Sequence, residues 1–140
     1  MKILAIGGCG SMARYALKAA QNFDAIDEII IADINEESAT SFAATLNNKV
    51  SAVRLDVSDN QALKLAMKNI NIVVNTCGPF FKFGEPILSA AIDSGCHYLD
   101  ICDDWEPTLE MIKLDANAKS AGVNTIFISL LISFAILCCS

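Results

Sequence analysis

The first 33 residues constrain the fold more than any other part of the chain. A short apolar run, Ile3-Leu4-Ala5-Ile6, leads into Gly7-Gly8-Cys9-Gly10-Ser11-Met12-Ala13. Helix-forming sequence follows, and a second apolar run, Ile29-Ile30-Ile31-Ala32, ends at Asp33. Strand, glycine turn, helix, strand and acidic residue, in that order, is the pattern of a dinucleotide-binding βαβ unit. On this reading Gly8 makes the tight turn and Gly10 lets a pyrophosphate approach the backbone. Ala13 stands where a third glycine would keep helix and strand close. The phosphates would rest on free N–H groups at the helix start, where the dipole favours an anion. Asp33 lies 20 residues beyond Ala13, placed to accept hydrogen bonds from ribose hydroxyls.

Short β runs alternate with helical patterns through the rest of the chain, which predicts a doubly wound parallel α/β sheet with helices on both faces. Ala13, Ala16, Leu17 and Ala20 form one small apolar helical face. Asn35 caps the next helix, with Ala39, Phe42, Ala43 and Leu46 inward. Val50–Leu55 reads as the third strand. Ser58-x-x-Gln61 reads as a capping box, opening a helix that buries Ala62, Leu65 and Ala66. Ile70–Asn75 is the fourth strand, and a loop from Thr76 to Gly84 leads to a helix with Pro86 in its first turn. Gly95 ends that helix, and His97–Cys102 is the fifth strand. One long helix is expected from Glu106 to Ala121, stopped by Gly122, before a sixth strand at Thr125–Leu130.

Composition narrows the functional classes. A net charge of −6 and the lack of any basic run argue against nonspecific nucleic-acid binding. The six cysteines form no C-x-x-C pair and His97 is the sole histidine, so no metal site is expected. Met1-Lys2 leads straight into a strand, without a secretory signal, so the expectation is a reduced, cytoplasmic protein.

Ligands of open α/β sheets sit beyond the carboxyl ends of the strands. Those ends carry the glycine turn; Asp33-Ile34-Asn35; Leu55-Asp56-Val57; Asn75-Thr76-Cys77-Gly78-Pro79; and Asp100-Ile101-Cys102-Asp103-Asp104-Trp105. Asp56 reads equally as an adenine contact or a turn residue. Cys77 reads as a small apolar residue, because no general base stands beside it in sequence. His97 reads as a structural histidine, Asp103 and Asp104 as a solvated helix start, and Trp105 as packing. No residue is singled out as catalytic.

Two segments are more specific than the glycine turn. Asn75-Thr76-Cys77-Gly78-Pro79-Phe80-Phe81-Lys82-Phe83-Gly84-Glu85-Pro86 and Gly95-Cys96-His97-Tyr98-Leu99-Asp100 resemble the saccharopine dehydrogenase and saccharopine reductase-like family. The turn Gly7 to Ala13 resembles that family's N-terminal nucleotide-binding domain, and the likeness runs over residues 1–128. The resemblance implies an NAD(P)-dependent oxidoreductase acting on the CH–NH bond of an amino-acid-derived secondary amine. It implies that Gly8, Cys9, Gly10, Ser11 and Met12 hold the pyrophosphate. Asp33 and Ile34 would meet the ribose, Asp56 and Val57 the adenine, and Thr76, Cys77, Gly78 and Pro79 the nicotinamide side. An acidic Asp33 without an adjacent arginine favours NAD, with NADP second and Arg14 and Lys49 open as phosphate partners.

Residues 129–140 depart from the family, having no glycine, proline or charge. A truncated or frameshifted product is the expectation, with the substrate domain absent and the chain inactive alone. The 14 residues from Ile126 to Cys139 fall short of the roughly 20 that span a bilayer, so no membrane partner is expected. A homo-oligomer, or a separate chain carrying the substrate domain, is the expected partner. The rival reading is a non-enzymatic NAD(H)-binding regulatory domain. A short-chain dehydrogenase would need Tyr-x-x-x-Lys, but Ala19 follows Tyr15 and Cys102 follows Tyr98 at that spacing.

Overall fold

The computed structural model describes residues 1–128; the apolar stretch 129–140 lies outside the described residues. Six strands alternate with six helices: β1 (Lys2–Ile6), α1 (Ser11–Ala20), β2 (Glu28–Asp33), α2 (Glu36–Ala43), β3 (Val50–Arg54), α3 (Asn60–Ala66), β4 (Ile72–Asn75), α4 (Phe80–Asp93), β5 (His97–Asp100), α5 (Trp105–Ile112), α6 (Asp115–Ala121) and β6 (Thr125–Phe127). The strands form one parallel sheet in the order β3-β2-β1-β4-β5-β6. This is the expected doubly wound α/β fold. Strand order reverses between β1 and β4, opening a crevice at their carboxyl ends, the usual ligand position in such sheets.

Alternation along the strands divides the core. Ile3 and Ala5 of β1 join Ile29 and Ile31 of β2 on the face covered by Leu17 of α1 and by Ala39 and Phe42 of α2. Leu4 and Ile6 face the other way, joining Val73, Tyr98, Leu63 of α3, Ile87 and Leu88 of α4, and Met111 of α5. Both sheet faces are therefore buried, which explains the continuous apolar runs.

Several local expectations are corrected. The α3 cap is Asp59, whose carboxylate accepts from the Gln61 and Ala62 N–H groups. Ser58 instead donates to Asp56. The inward α3 residue is Leu63, while Leu65 points outward, 72% exposed. In α1, Ala13 and Leu17 are buried and Ala16 is exposed. Helix α4 begins at Phe80 rather than after Gly84, so Pro86 lies within it. Phe80, Phe83, Ile87 and Ala91 continue one apolar stripe through the proline into the core. Burial of that stripe outweighs the one backbone hydrogen bond a helical proline removes. The expected helix 106–121 is two helices. Between them Lys113 and Leu114 donate to carbonyls three residues back, tightening the chain and ending α5 without a glycine or proline. Gly95 and Gly122 end α4 and α6 in left-handed conformations, as expected.

Candidate functional site

Gly7, not Gly8, makes the turn out of β1. It has φ +70°, and a Cβ there would stand 2.9 Å from the Cys77 backbone. The close approach brings the loop after β4 against the loop after β1, at the reversal point of the sheet. Thr76 fastens the junction: its N–H donates to Ile6 O at 2.9 Å, and its hydroxyl contacts the Ile6 and Gly7 carbonyls at 2.9 and 3.0 Å. Gly8 serves packing instead, since a Cβ would meet Ile31 Cγ2 at 2.8 Å.

Gly10 caps α1 in an extended conformation, without a side-chain hydrogen bond. Its own N–H is spent on Gly7 O, and the first intrahelical bond of α1 runs from Arg14 N–H to Gly10 O. The N–H groups of Ser11, Met12 and Ala13 thus precede the first internal helix bond, the arrangement that receives an anion.

A cleft of about 340 Å³ lies beside this helix start. Of the residues expected from sequence, it brings together Gly10, Asp33, Ile34, Val57, Thr76, Cys77 and Gly78. Gly8, Cys9, Ser11, Met12, Asp56 and Pro79 do not line it. Ile6, Gly7, Ala32, Leu55 and Phe83 line it without having been singled out. The doubled glycine was the available signal for Gly7. Phe83 was hidden by its assignment to a loop.

Asp33 sits at the end of β2 and engages both carboxylate oxygens, Oδ2 accepting from Cys9 N–H at 3.2 Å and Oδ1 from Asn35 N–H at 3.1 Å. Asp56 is exposed and accepts both the hydroxyl and the N–H of Ser58, which hold its carboxyl below the ordinary range. Burial, with the Asp33 charge second, pushes the Cys77 thiol up, keeping it protonated and a poor nucleophile at neutral pH. Burial likewise raises the Cys9 thiol.

The remaining candidates take other places. His97 accepts the Asn124 N–H through Nδ1, a structural role. Asp103 and Asp104 are exposed at the start of α5. Trp105 is not packed in the core: it is 62% exposed and lines a groove of about 750 Å³ between α4 and α5. Of the two cations left open as phosphate partners, Lys49 lies just before β3 at the amino edge of the sheet, away from the cleft. Arg14 does not line the cleft either; its guanidinium donates to Cys9 O and Ser38 Oγ.

A buried polar cluster lies under the loops after β4 and β5. Asn75 and Asp100 are register partners at the ends of those strands, and neither is exposed. Asn75 donates through Nδ2 to the Tyr98 hydroxyl at 2.9 Å and accepts Cys77 N–H through Oδ1 at 2.9 Å. Asp100 accepts Cys102 N–H through Oδ1 at 3.1 Å, while its Oδ2 is buried without a partner among the described residues. Burial pushes the Asp100 carboxyl up and, with the Asp100 charge second, keeps the Tyr98 phenol protonated far above its ordinary range.

A raised carboxyl pKa favours the folded state in its neutral form. That stability is complete below the unfolded value of about 3.9 and is lost as pH rises through the folded value. Asp100→Asn keeps the Oδ1 acceptor and cannot ionise. The variant is therefore expected to melt about 3 °C or more above the parent at pH 7, with the difference vanishing near pH 4. Thermal melts from pH 4 to 8 test this; a pH-independent difference would contradict it.

The comparisons with known proteins agree with this geometry. Residues 3–126 match the family model described as saccharopine dehydrogenase NADP binding domain. A probable mitochondrial saccharopine dehydrogenase-like oxidoreductase of Arabidopsis thaliana is 30% identical over 132 residues, covering 86% of this chain and 28% of its own length. The saccharopine dehydrogenase-like oxidoreductase of Rattus norvegicus is 34% identical over 78 residues, covering 56% of this chain and 18% of its own length. Among solved structures, apo saccharopine dehydrogenase (L-Glu forming) from Saccharomyces cerevisiae superposes with a TM-score of 0.77 at 18% identity, covering 91% of this chain and 26% of that one. The chain thus spans under a third of the curated relatives' lengths. An NAD(P)-binding α/β domain, a glycine turn set against the β4 loop and a family match over nearly all the described residues lead to one conclusion: the chain belongs to the saccharopine dehydrogenase NADP-binding domain family.

Proposed function

We propose that this chain is the cofactor-holding part of an oxidoreductase acting on the CH–NH bond of an amino-acid-derived secondary amine. The observation that carries the reading is the α1 start, with N–H groups that precede its internal bonds, beside a cleft walled by Asp33 and the Thr76–Gly78 loop. The groups present fit a dinucleotide. Ser11 and Met12, with the turn Gly8–Gly10, receive the pyrophosphate; Asp33, with Ile34 beside it, receives the adenosine ribose. Val57 and the Asp56 backbone flank the adenine, and Thr76, Cys77, Gly78 and Pro79 meet the nicotinamide side. The cofactor, when bound, supplies hydride exchange with a carbon–nitrogen bond. The protein's share is to bind, orient and exclude water.

No cleft group is poised as a general acid or base. The Cys77 thiol is raised, and both Asp33 oxygens accept backbone N–H groups. The chain is therefore expected to bind NADH or NADPH and to show no turnover with saccharopine. Calorimetric titration and an absorbance assay at the nicotinamide band test the two halves. Failure to bind either dinucleotide would refute the cofactor assignment; turnover would show that the described residues hold the reaction chemistry as well.

Substrate class, partner chain or self-association, and cytoplasmic residence belong to this same proposal. The four described cysteines are free thiols, in keeping with a reducing compartment. Among the described residues no helix is long and apolar enough to cross a membrane.

A further inference from the structure

Helix α5 is apolar on two faces. Pro107 and Met111 turn into the core. Trp105, Leu109 and Ile112, spaced i, i+4 and i+7, form a second stripe that is 62%, 51% and 47% exposed. A helix that only covers a sheet needs one such stripe. Phe81, in the first turn of α4, is 77% exposed and lines the same groove as Trp105 and Leu109. Single exposed apolar side chains need no explanation, but four on one surface do. Together they expose on the order of 500 Å², a patch of the size that marks a contact with another protein.

Two observations say what fits there. The first is area. Two such patches face to face bury on the order of 1,000 Å² from these four side chains alone, the threshold for a specific interface. The second is charge. Glu106 and Lys113 lie two turns apart on one flank of the stripe, where both line the groove. An antiparallel copy of α5 sets Glu106 of each chain beside Lys113 of the other, and Trp105 against Ile112. Lys113 is paired within its own helix to Glu110, but both side chains are exposed and such a pair is weak enough to be shared. The surface is thus self-complementary, as a two-fold contact requires.

We propose that this surface docks a second copy of the chain, with the two α5 helices antiparallel across a two-fold axis near Leu109. The inference gives the self-association in the reading above its surface and rests on that part of the reading alone. Trp105 and Leu109 are the anchors, and Glu106 and Lys113 set the direction of pairing. Phe81 follows Pro79 by two residues, so the docked copy lies next to the crevice end formed by residues 76–79.

The chain has one tryptophan, so its emission reports this surface directly. Sedimentation and Trp105 emission are followed in the full chain from about 1 to 100 μM, the range suited to a contact of this size. A monomer–dimer equilibrium is expected, with emission moving to the blue as dimer forms. Leu109→Arg brings two like charges to the axis and should raise the dissociation constant about tenfold or more, with emission staying red. Glu106→Lys should weaken the dimer about threefold or more, and adding Lys113→Glu should restore it. If Leu109→Arg fails to fold, the charge swap carries the test. A parent that stays monomeric would overturn the proposal and the self-association with it. An assembly unmoved by Leu109→Arg would overturn this surface alone, and a dimer that the double swap does not restore would overturn the antiparallel pairing. None of these outcomes touches the cofactor assignment, which dinucleotide titration tests separately.

Discussion

Gly7→Ala is expected to be the most damaging single-methyl change in the chain. The left-handed φ of +70° costs an L-residue about 1–2 kcal/mol. The new Cβ would also press on the Cα and N atoms of Cys77 at 2.9 Å, which are backbone and cannot rotate away. Overpacking of that kind adds about 1–3 kcal/mol. The sum is a large share of the 5–15 kcal/mol that holds a typical domain together. The melting temperature should fall by about 10 °C or more, or the chain should fail to fold. A melt within about 3 °C of the parent would show that the β1 and β4 loops separate without cost, and that their contact does not organise the crevice.

Gly10→Val is expected to do the reverse, leaving the fold and removing the ligand. Gly10 has an extended backbone open to any residue, and the nearest atom to an added Cβ is Gly7 O at 3.4 Å. The cap costs no more than about 1 kcal/mol on replacement. The valine methyls would project over the start of α1, where a pyrophosphate must come within hydrogen-bonding distance. Dinucleotide affinity should fall by about a hundredfold or more, the loss of two or so charge-assisted hydrogen bonds. Titration paired with a thermal melt separates this from unfolding. Unaltered affinity in a folded Gly10→Val chain would move the phosphates elsewhere.

The two glycines also show what was legible from sequence. Spacing identified a glycine-rich turn, its strand, its helix and Asp33, because each has a local cause. It did not show which glycine turns the chain, since that depends on Cys77, 70 residues away and adjacent only once β1 and β4 pair. The same limit hid the partners of Arg14, since Ser38 and Phe42 belong to α2, beyond β2 in the chain. Asn75, Tyr98 and Asp100 were read only as residues of the fourth and fifth strands. Their shared face emerges from register, and a buried polar trio runs against the apolar expectation for a two-sided sheet. The start of α4 was misplaced because Pro86 carries a strong local signal for a first turn, and only the core shows why the helix runs through it.

Tyr98 gives the loops after β4 and β5 a common hinge pin. Asn75 holds the Cys77 amide with one end of its side chain and the Tyr98 phenol with the other. Asp100, two residues beyond Tyr98, secures the Cys102 amide in the same way. A swing of residues 76–79 away from the crevice would have to break the Cys77 N–H bond and leave the Oδ1 of the buried Asn75 without that partner. Such a displacement carries a threshold of about 1–3 kcal/mol before any new contact can form. The end of the crevice formed by residues 76–79 is thus a stiff surface, and adaptation to different ligands falls to the exposed side chains at its rim.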